Sequence, residues 1–294
     1  MSCFGASVMV AIIGILTRGE AALHPAQVVF FRNVTALVFF MPWVFYFFRK
    51  EGNFNHLKTT QIKLHSLRVI FGTAGLYLWT CSLALVPHPT AVALSFTSPL
   101  ITATLAVLLL GDRFGWHRSM ALGFGFVGAM IILRPGMEGF NQYSWLVLGA
   151  ATVWAIAGII IKKLTEVDSS RLVVFYMVVV GTPLTLPVAL IYWRPVPVEL
   201  WFWVVALGGV SALFQISMTH AFSLAPFSVI LPFDFTRLLF TSILSYFVFN
   251  EILDFWTFIG ATLIMASAVY ATWRQAKRAK QAQISQIWEE ERSD

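Results

Sequence analysis

What the chain has little of narrows its class first. Charged side chains make up only 12% of its 294 residues, where a soluble domain carries about a quarter. Its two cysteines, Cys3 and Cys81, both sit in apolar runs and give neither a disulfide framework nor a metal-ligand spacing. There is no H-E-x-x-H, no G-x-S-x-G and no pair of aspartates deep in apolar sequence, so the clustered groups of an intramembrane enzyme are missing. A Walker A sequence is missing too, so uphill work would draw on a gradient or on exchange of substrates, not on ATP bound to this chain. No sizeable soluble output domain is visible, which argues against a sensor. The expectation is a non-enzyme that needs no cofactor and no metal.

What is present is hydrophobicity: 58% of residues are apolar and the mean hydropathy is +0.77. That composition predicts an all-α polytopic membrane protein. A helix needs about 20 residues to cross the hydrocarbon core, and ten segments qualify: 2–17, 27–48, 66–86, 90–110, 118–133, 144–162, 172–193, 199–222, 228–249 and 255–273. The first is short and begins almost at Met1. Its length predicts a start further upstream, and the first apolar run passes into the second with no A-x-A-like cleavage site between them.

The net charge of +6 is read as topology charge. If the N-terminus is inside, one set of segments (connections with the span ends beside them) holds Arg49, Lys50, Lys58, Lys63, Arg68, Arg113, Arg118, Lys162, Lys163 and Arg171, and the tail adds Arg274, Lys277, Arg278 and Lys280. The other set holds only Arg18, Arg134 and Arg194. The positive-inside rule then predicts both ends in the cytoplasm. Residues 274–294 are expected to form a charged cytoplasmic tail whose basic part lies near the anionic inner leaflet, read first as a solvated positive-inside anchor.

Shifted by 139 residues, Ala84–Trp116 overlays Ser223–Phe255 without a gap. Leu85, Pro87, Phe96, Thr97, Leu100, Thr102 and Leu105 fall on Leu224, Pro226, Phe235, Thr236, Leu239, Thr241 and Leu244, and Asp112 falls on Glu251. Each half (residues 1–134 and 144–273) then holds five helices. Five is odd, so the second half is expected upside down relative to the first. Inverted repeats are the architecture of secondary transporters, with the site near the midplane.

The stretches HPAQVVFFRN, HSLRVIFGTAGLYLWTCSLALVP, TAVALSFTSPLITATLAVLLLGDRFGWHR and PFDFTRLLFTSILSYFVFNEILDFWTFIGATLI resemble the EamA-type drug/metabolite transporter superfamily. The likeness is nearest to its bacterial branch that includes S-adenosylmethionine uptake carriers, and it extends over residues 1–273. The resemblance implies ten helices in two inverted five-helix repeats, a central cavity, alternating access and a longer first helix than the one seen here. Close relatives carry amino acids, vitamins, nucleotides or drugs, so the resemblance does not fix the substrate.

The candidate substrate-binding residues are Arg32, Asp234, Arg237, Tyr77, Trp79 and Ser98. Ionisable groups at membrane depth cost roughly 2.5–3.5 kcal/mol each on insertion scales and face protein or water. Asp234 and Arg237 are three residues apart and share a helix face. Either they meet a zwitterion, with Asp234 also able to exchange a proton, or they satisfy each other as a packing pair. Arg32 can grip a carboxylate or phosphate bidentately, but its shallow position also permits snorkelling to the headgroups. Neighbouring Asn33 has no assigned role.

Ser95, Thr97 and Ser98 match Asp234, Thr236 and Arg237 in the repeat and suit cavity lining or close packing. Pro99 and Pro232 free backbone carbonyls in the two repeat-related helices or simply kink them. Tyr77 and Trp79 could stack on a purine or aromatic substrate; Trp154, Phe214, Phe233, Phe235 and Phe240 are read as packing residues. His220 is read as a packed histidine, and Asp112 and Glu251 as structural end groups.

The expected partners are a small-molecule substrate, the lipid bilayer and a proton or counter-substrate, with no nucleic acid. The expected function is a secondary active transporter that moves a small, polar, zwitterionic metabolite, S-adenosylmethionine-like, across the bacterial inner membrane. The alternative is an exporter of amino acids or drugs on the same fold.

Overall fold

The computed structural model describes residues 2–51, 59–98, 100–101, 104–105, 116–134, 141–165, 167–168, 170–224, 236–270, 273–274 and 277. Among them there is no strand. The helices are α1 (Ser2–Thr17), α2 (Pro25–Glu51), α3 (Ile62–Leu85), α4 (His88–Ser95), α5 (Trp116–Leu133), α6 (Ser144–Thr165), α7 (Ser170–Ile191), α8 (Trp201–Leu224), α9 (Thr236–Phe249) and α10 (Phe255–Tyr270). A short 3-10 turn, Val198–Leu200, leads into α8. Each helix falls on one of the apolar segments. In hydrocarbon every backbone N–H and C=O must be paired within its own segment, so apolar runs of this length become helices.

Stretches of α2, α3, α6 and α7 are long and apolar enough to cross a membrane, and α1, α5, α8, α9 and α10 contribute shorter apolar helices. Large apolar side chains such as Phe126, Ile191, Phe202 and Phe247 point outward, while Ser7, Gln27, Arg32, Asn33, Ser211 and Thr241 are buried. Apolar outside with polar groups inside is the distribution of a multi-pass membrane protein.

The segment expected as one span over 90–110 is interrupted. Helix α4 stops at Ser95, Phe96 and Thr97 form a turn, and helix resumes at Ser98. The cause is in the sequence. A proline at position 99 removes one ladder donor and clashes with the carbonyl four residues earlier, at Ser95, where α4 stops. Pro99 itself, like Pro232, Phe233, Phe235, Asp112 and Asp234, lies outside the described residues.

Helix α9 ends with Asn250 in the left-handed region (φ 55°), and the Glu251 N–H closes back on the Ser245 carbonyl at 3.2 Å. The Asn250 N–H closes on the Tyr246 carbonyl at 3.0 Å, a left-handed cap that reverses the chain and turns Glu251 back over the bundle. Helix α5 ends in the same way at Arg134 (φ 45°).

The tightest helix crossings use glycine. A Cβ at Gly260 of α10 would lie 2.5 Å from the Gly128 carbonyl of α5, and one at Gly128 would lie 2.7 Å from the Gly260 carbonyl. Two backbones touch there, as small residues permit in membranes. A Cβ at Gly208 of α8 would collide with Thr35 of α2. The core between these crossings includes Ile13, Leu16, Val28, Leu83, Leu94, Leu207 and Ile264. Helix α1 packs on α8 and α9, α2 on α7 and α8, α3 on α6 and α7, and α4 on α6 and α9.

Candidate functional site

The break in α4 faces the start of α9. Arg237 donates from Nη2 to the Ser95 Oγ at 3.1 Å, and Ser95 passes its own proton to the Val92 carbonyl at 2.7 Å. The guanidinium carbon also stands 5.1 Å from the centre of the Phe96 ring, a cation–π contact that a desolvated site strengthens. The Arg237 carbonyl accepts a hydrogen bond from Ser7 of α1 at 3.0 Å, and Thr241 donates to Ser7 at 3.0 Å. Beyond the break, Ser98 donates to the Ala151 carbonyl of α6 at 3.3 Å. Two further helices, α1 and α6, therefore meet α4 and α9 at this junction. At 1.5 Å per residue, Arg237 lies about 18 Å from the Phe249 end of its helix, more than half the thickness of a hydrocarbon layer of about 30 Å.

Arg32 forms a second buried centre and does not snorkel. It is 8% exposed, with Nε 3.1 Å from the Ser211 Oγ of α8 and Nη1 3.3 Å from the Asn33 Oδ1. Ser211 in turn contacts the Met9 sulfur of α1 at 3.3 Å. Helix α1 thus touches both centres, through Ser7 on one and Met9 on the other.

Trp79 is 2% exposed and packs on Trp154 at 5.5 Å between ring centres. Tyr77 is half-buried on α3, one turn before Cys81. The structure therefore brings Arg237, Ser95 and Ser98 to one junction, sets Arg32 beside α1 and α8, and leaves Tyr77 and Trp79 on α3. Asp234 and the side chain of His220 are outside the described residues.

Polar clusters at the two ends of the bundle were less legible from sequence. At one end Arg18 pairs with Glu251 and donates to the carbonyls of Leu83 (2.9 Å) and Val86 (2.6 Å). The other Glu251 oxygen caps the His88 N–H at 2.8 Å. The His88 ring is fully buried, 3.3 Å from the Ser245 Oγ. One carboxylate therefore ties the α1–α2, α3–α4 and α9–α10 connections together.

At the other end Asp168 accepts from Thr59 at 2.6 Å and pairs with the buried His65 at 2.8 Å. Burial pushes the Asp168 carboxyl up, but the Thr59 and His65 hydrogen bonds and the His65 charge outweigh it and hold it below its ordinary value. The signal for Glu251 was its match to Asp112 in the repeat. His65 and Asp168 carried none.

Two further groups were missed. Arg68, counted above as a topology charge, lies on α3 with its Nη1 3.5 Å from the Met177 sulfur of α7. Asn33 turns its amide nitrogen towards Gly181 of α7, where Thr73 of α3 also points. Among the described residues no group of three or more His, Cys, Asp or Glu could hold a metal.

Residues 1–134 and again residues 142–273 match the EamA-like transporter family. An S-adenosylmethionine uptake transporter of Rickettsia prowazekii (strain Madrid E) is 31% identical over 90% of this chain and 88% of its own. A riboflavin transporter of Vibrio cholerae serotype O1 is 32% identical over 89% of this chain and 87% of its own. The pseudopaline exporter CntI of Pseudomonas aeruginosa is 24% identical over 92% of each chain.

Proposed function

The chain belongs to the EamA-like transporter family, and from that premise we propose a secondary active carrier that moves a small, polar, zwitterionic metabolite by alternating access. The observation that carries this reading is the contact of Arg237 with Ser95. It joins the two helices that the internal repeat pairs, at the depth where inverted-repeat carriers hold their cargo. Arg237 and Arg32 take an anionic group, Asp234 takes a cation or a proton, Ser98 lines the break, and Tyr77 and Trp79 form the aromatic side.

The packing pattern supports two inverted five-helix units, residues 1–134 and 144–273. Exchanging α1–α5 with α6–α10 turns the α1–α9 contact into α6–α4, α3–α6 into α8–α1, and α2–α8 into α7–α3. The contacts α2–α7 and α4–α9 map onto themselves. The Lys/Arg distribution supports cytoplasmic termini, and the bacterial relatives support the inner membrane.

The cargo we favour has an amino-acid head and an aromatic or cationic body, as S-adenosylmethionine does; a relative named for its uptake supports this choice. Counter-flow of labelled S-adenosylmethionine into preloaded proteoliposomes tests it. Exchange that Arg237→Ala abolishes is the expected result, and efflux of other metabolites with no S-adenosylmethionine flux would replace it. The second reading is an exporter of amino acids or drugs, which the likeness to the pseudopaline exporter favours.

A further inference from the structure

We propose that Asn33 and Thr73, facing Gly181, form a subsite for the carboxylate of the transported molecule, with Arg32 and Arg68 supplying positive charge from either side. The proposal rests on the carrier reading above and names the chemical class of its cargo.

The geometry starts with Arg32. A guanidinium is donor-only, so its contact with Asn33 at 3.3 Å must engage the amide oxygen, Oδ1. That turns the Asn33 amide nitrogen the other way. Asn33 is 4% exposed, and its Nδ2 finds no partner among the described residues. Thr73 presents its hydroxyl to the same place. Thr80, further along the same helix, gives its proton to the Leu76 carbonyl at 2.9 Å; the buried Thr73 Oγ1 has no partner among the described residues. Uncommitted buried donors are costly in a protein interior, and a bound acceptor would answer both.

Gly181 keeps the space open. A Cβ there would lie 3.7 Å from the Thr73 Oγ1, 3.8 Å from the Asn33 Nδ2 and 3.8 Å from the Val69 Cγ1. One turn along the same face of α7, the Arg68 guanidinium lies against Met177, and its Nε also has no partner among the described residues. Helix α3 and α7 carry no acidic residue, and α2 carries none before Glu51. Donors and fixed positive charge without a counter-acid select an oxyanion. A carboxylate has two oxygens, enough to accept from the amide and the hydroxyl at once. An amino-acid head offers such a group, whereas a flavin ring does not.

The test uses the full chain in lipid nanodiscs for binding and in proteoliposomes for flux. The probes are S-adenosylmethionine, its decarboxylated counterpart and riboflavin. The wild type is expected to bind the carboxylate form at least about tenfold more tightly than the decarboxylated one, the scale of a hydrogen bond to a charged group. Asn33→Ala, Thr73→Val and Gly181→Ala should each remove most of that preference while leaving affinity for the decarboxylated probe nearly unchanged. Thr73→Ser should keep it. A methyl at Gly181 makes only ordinary contacts, so Gly181→Ala also controls against misfolding.

Equal affinity of the wild type for both probes would overturn the subsite, as would variants that weaken both probes alike. Binding and flux of riboflavin alone would overturn the subsite and leave the carrier standing. Carboxylate-selective binding without flux of any probe would overturn the carrier and leave the subsite. Neither binding nor flux would overturn both.

Discussion

Arg237 of α9 donates a hydrogen bond to Ser95 of α4 at 3.1 Å, and the internal repeat sets Ser95 opposite Asp234, three residues before Arg237 in the sequence. A charged residue in one half is thus held by the uncharged counterpart of its own neighbour in the other half. That contact joins α4 and α9 where α4 is broken, so a change at either residue is felt in both helices.

Arg237→Ala should lower transport at least tenfold and leave the purified protein folded, because Thr241 still reaches Ser7 to hold α9 on α1. Arg237→Lys should recover only part of the rate, since an ammonium lacks the planar fork that spans two acceptors. Initial uptake rates beside melting temperatures separate lost function from lost fold.

Glu251 closes one end of the bundle through Arg18 and the His88 N–H. Glu251→Gln removes the charge that holds Arg18 and should loosen that end. With Cys3 and Cys81 replaced by serine, a cysteine substituted at Ser245, which is 1% exposed, should react several-fold faster with a membrane-impermeant maleimide in the Glu251→Gln background. An unchanged labelling rate would mean that the network does not gate access.

Asp168 links pH to stability at the opposite end. Its folded carboxyl titrates below its ordinary value, so the folded state favours the carboxylate. That stabilisation is complete above the unfolded carboxyl range, about pH 4, and is lost as pH falls through the lowered folded value. The melting temperature of the wild type should therefore exceed that of Asp168→Asn at neutral pH, with the gap closing on acidification. A gap that widened in acid would contradict the assigned direction.

Gly260→Val should be strongly destabilising, because even the first added carbon meets the Gly128 carbonyl at 2.5 Å. Overpacking of a tight contact costs about 1–3 kcal/mol, and here the obstacle is backbone, which cannot rotate away. Thermal denaturation in detergent should show a drop of several degrees, against little change for a substitution at outward-facing Phe247.

Much of the fold was legible because it depends on pattern along one chain. Apolar length marked the helices, but 90–110 was expected as one span with Pro99 kinking it or freeing carbonyls, and the turn at Phe96 and Thr97 was not foreseen. The repeat sets Ser95 opposite Asp234, three residues from the Arg237 that Ser95 contacts. What stayed hidden depends on how helices are rotated about their axes. Arg68 looks like a loop cation in sequence, yet its helix carries it against Met177 of α7. Asn33 and Thr73 are forty residues apart and come to face the same spot only beside Gly181 of a third helix. Glu251 was read as a structural end group; the sequence did not reveal that the ending of α9 aims it at both Arg18 and His88.

The most direct measurement is counter-flow of labelled S-adenosylmethionine in proteoliposomes, with wild type and Arg237→Ala side by side. The carrier reading expects label to enter vesicles preloaded with unlabelled substrate, to stay out of empty ones, and to lose at least nine-tenths of its rate (about tenfold, on the scale of one charged hydrogen bond) in the variant. Equal rates for wild type and Arg237→Ala would contradict the assignment of the α4–α9 junction as the substrate site.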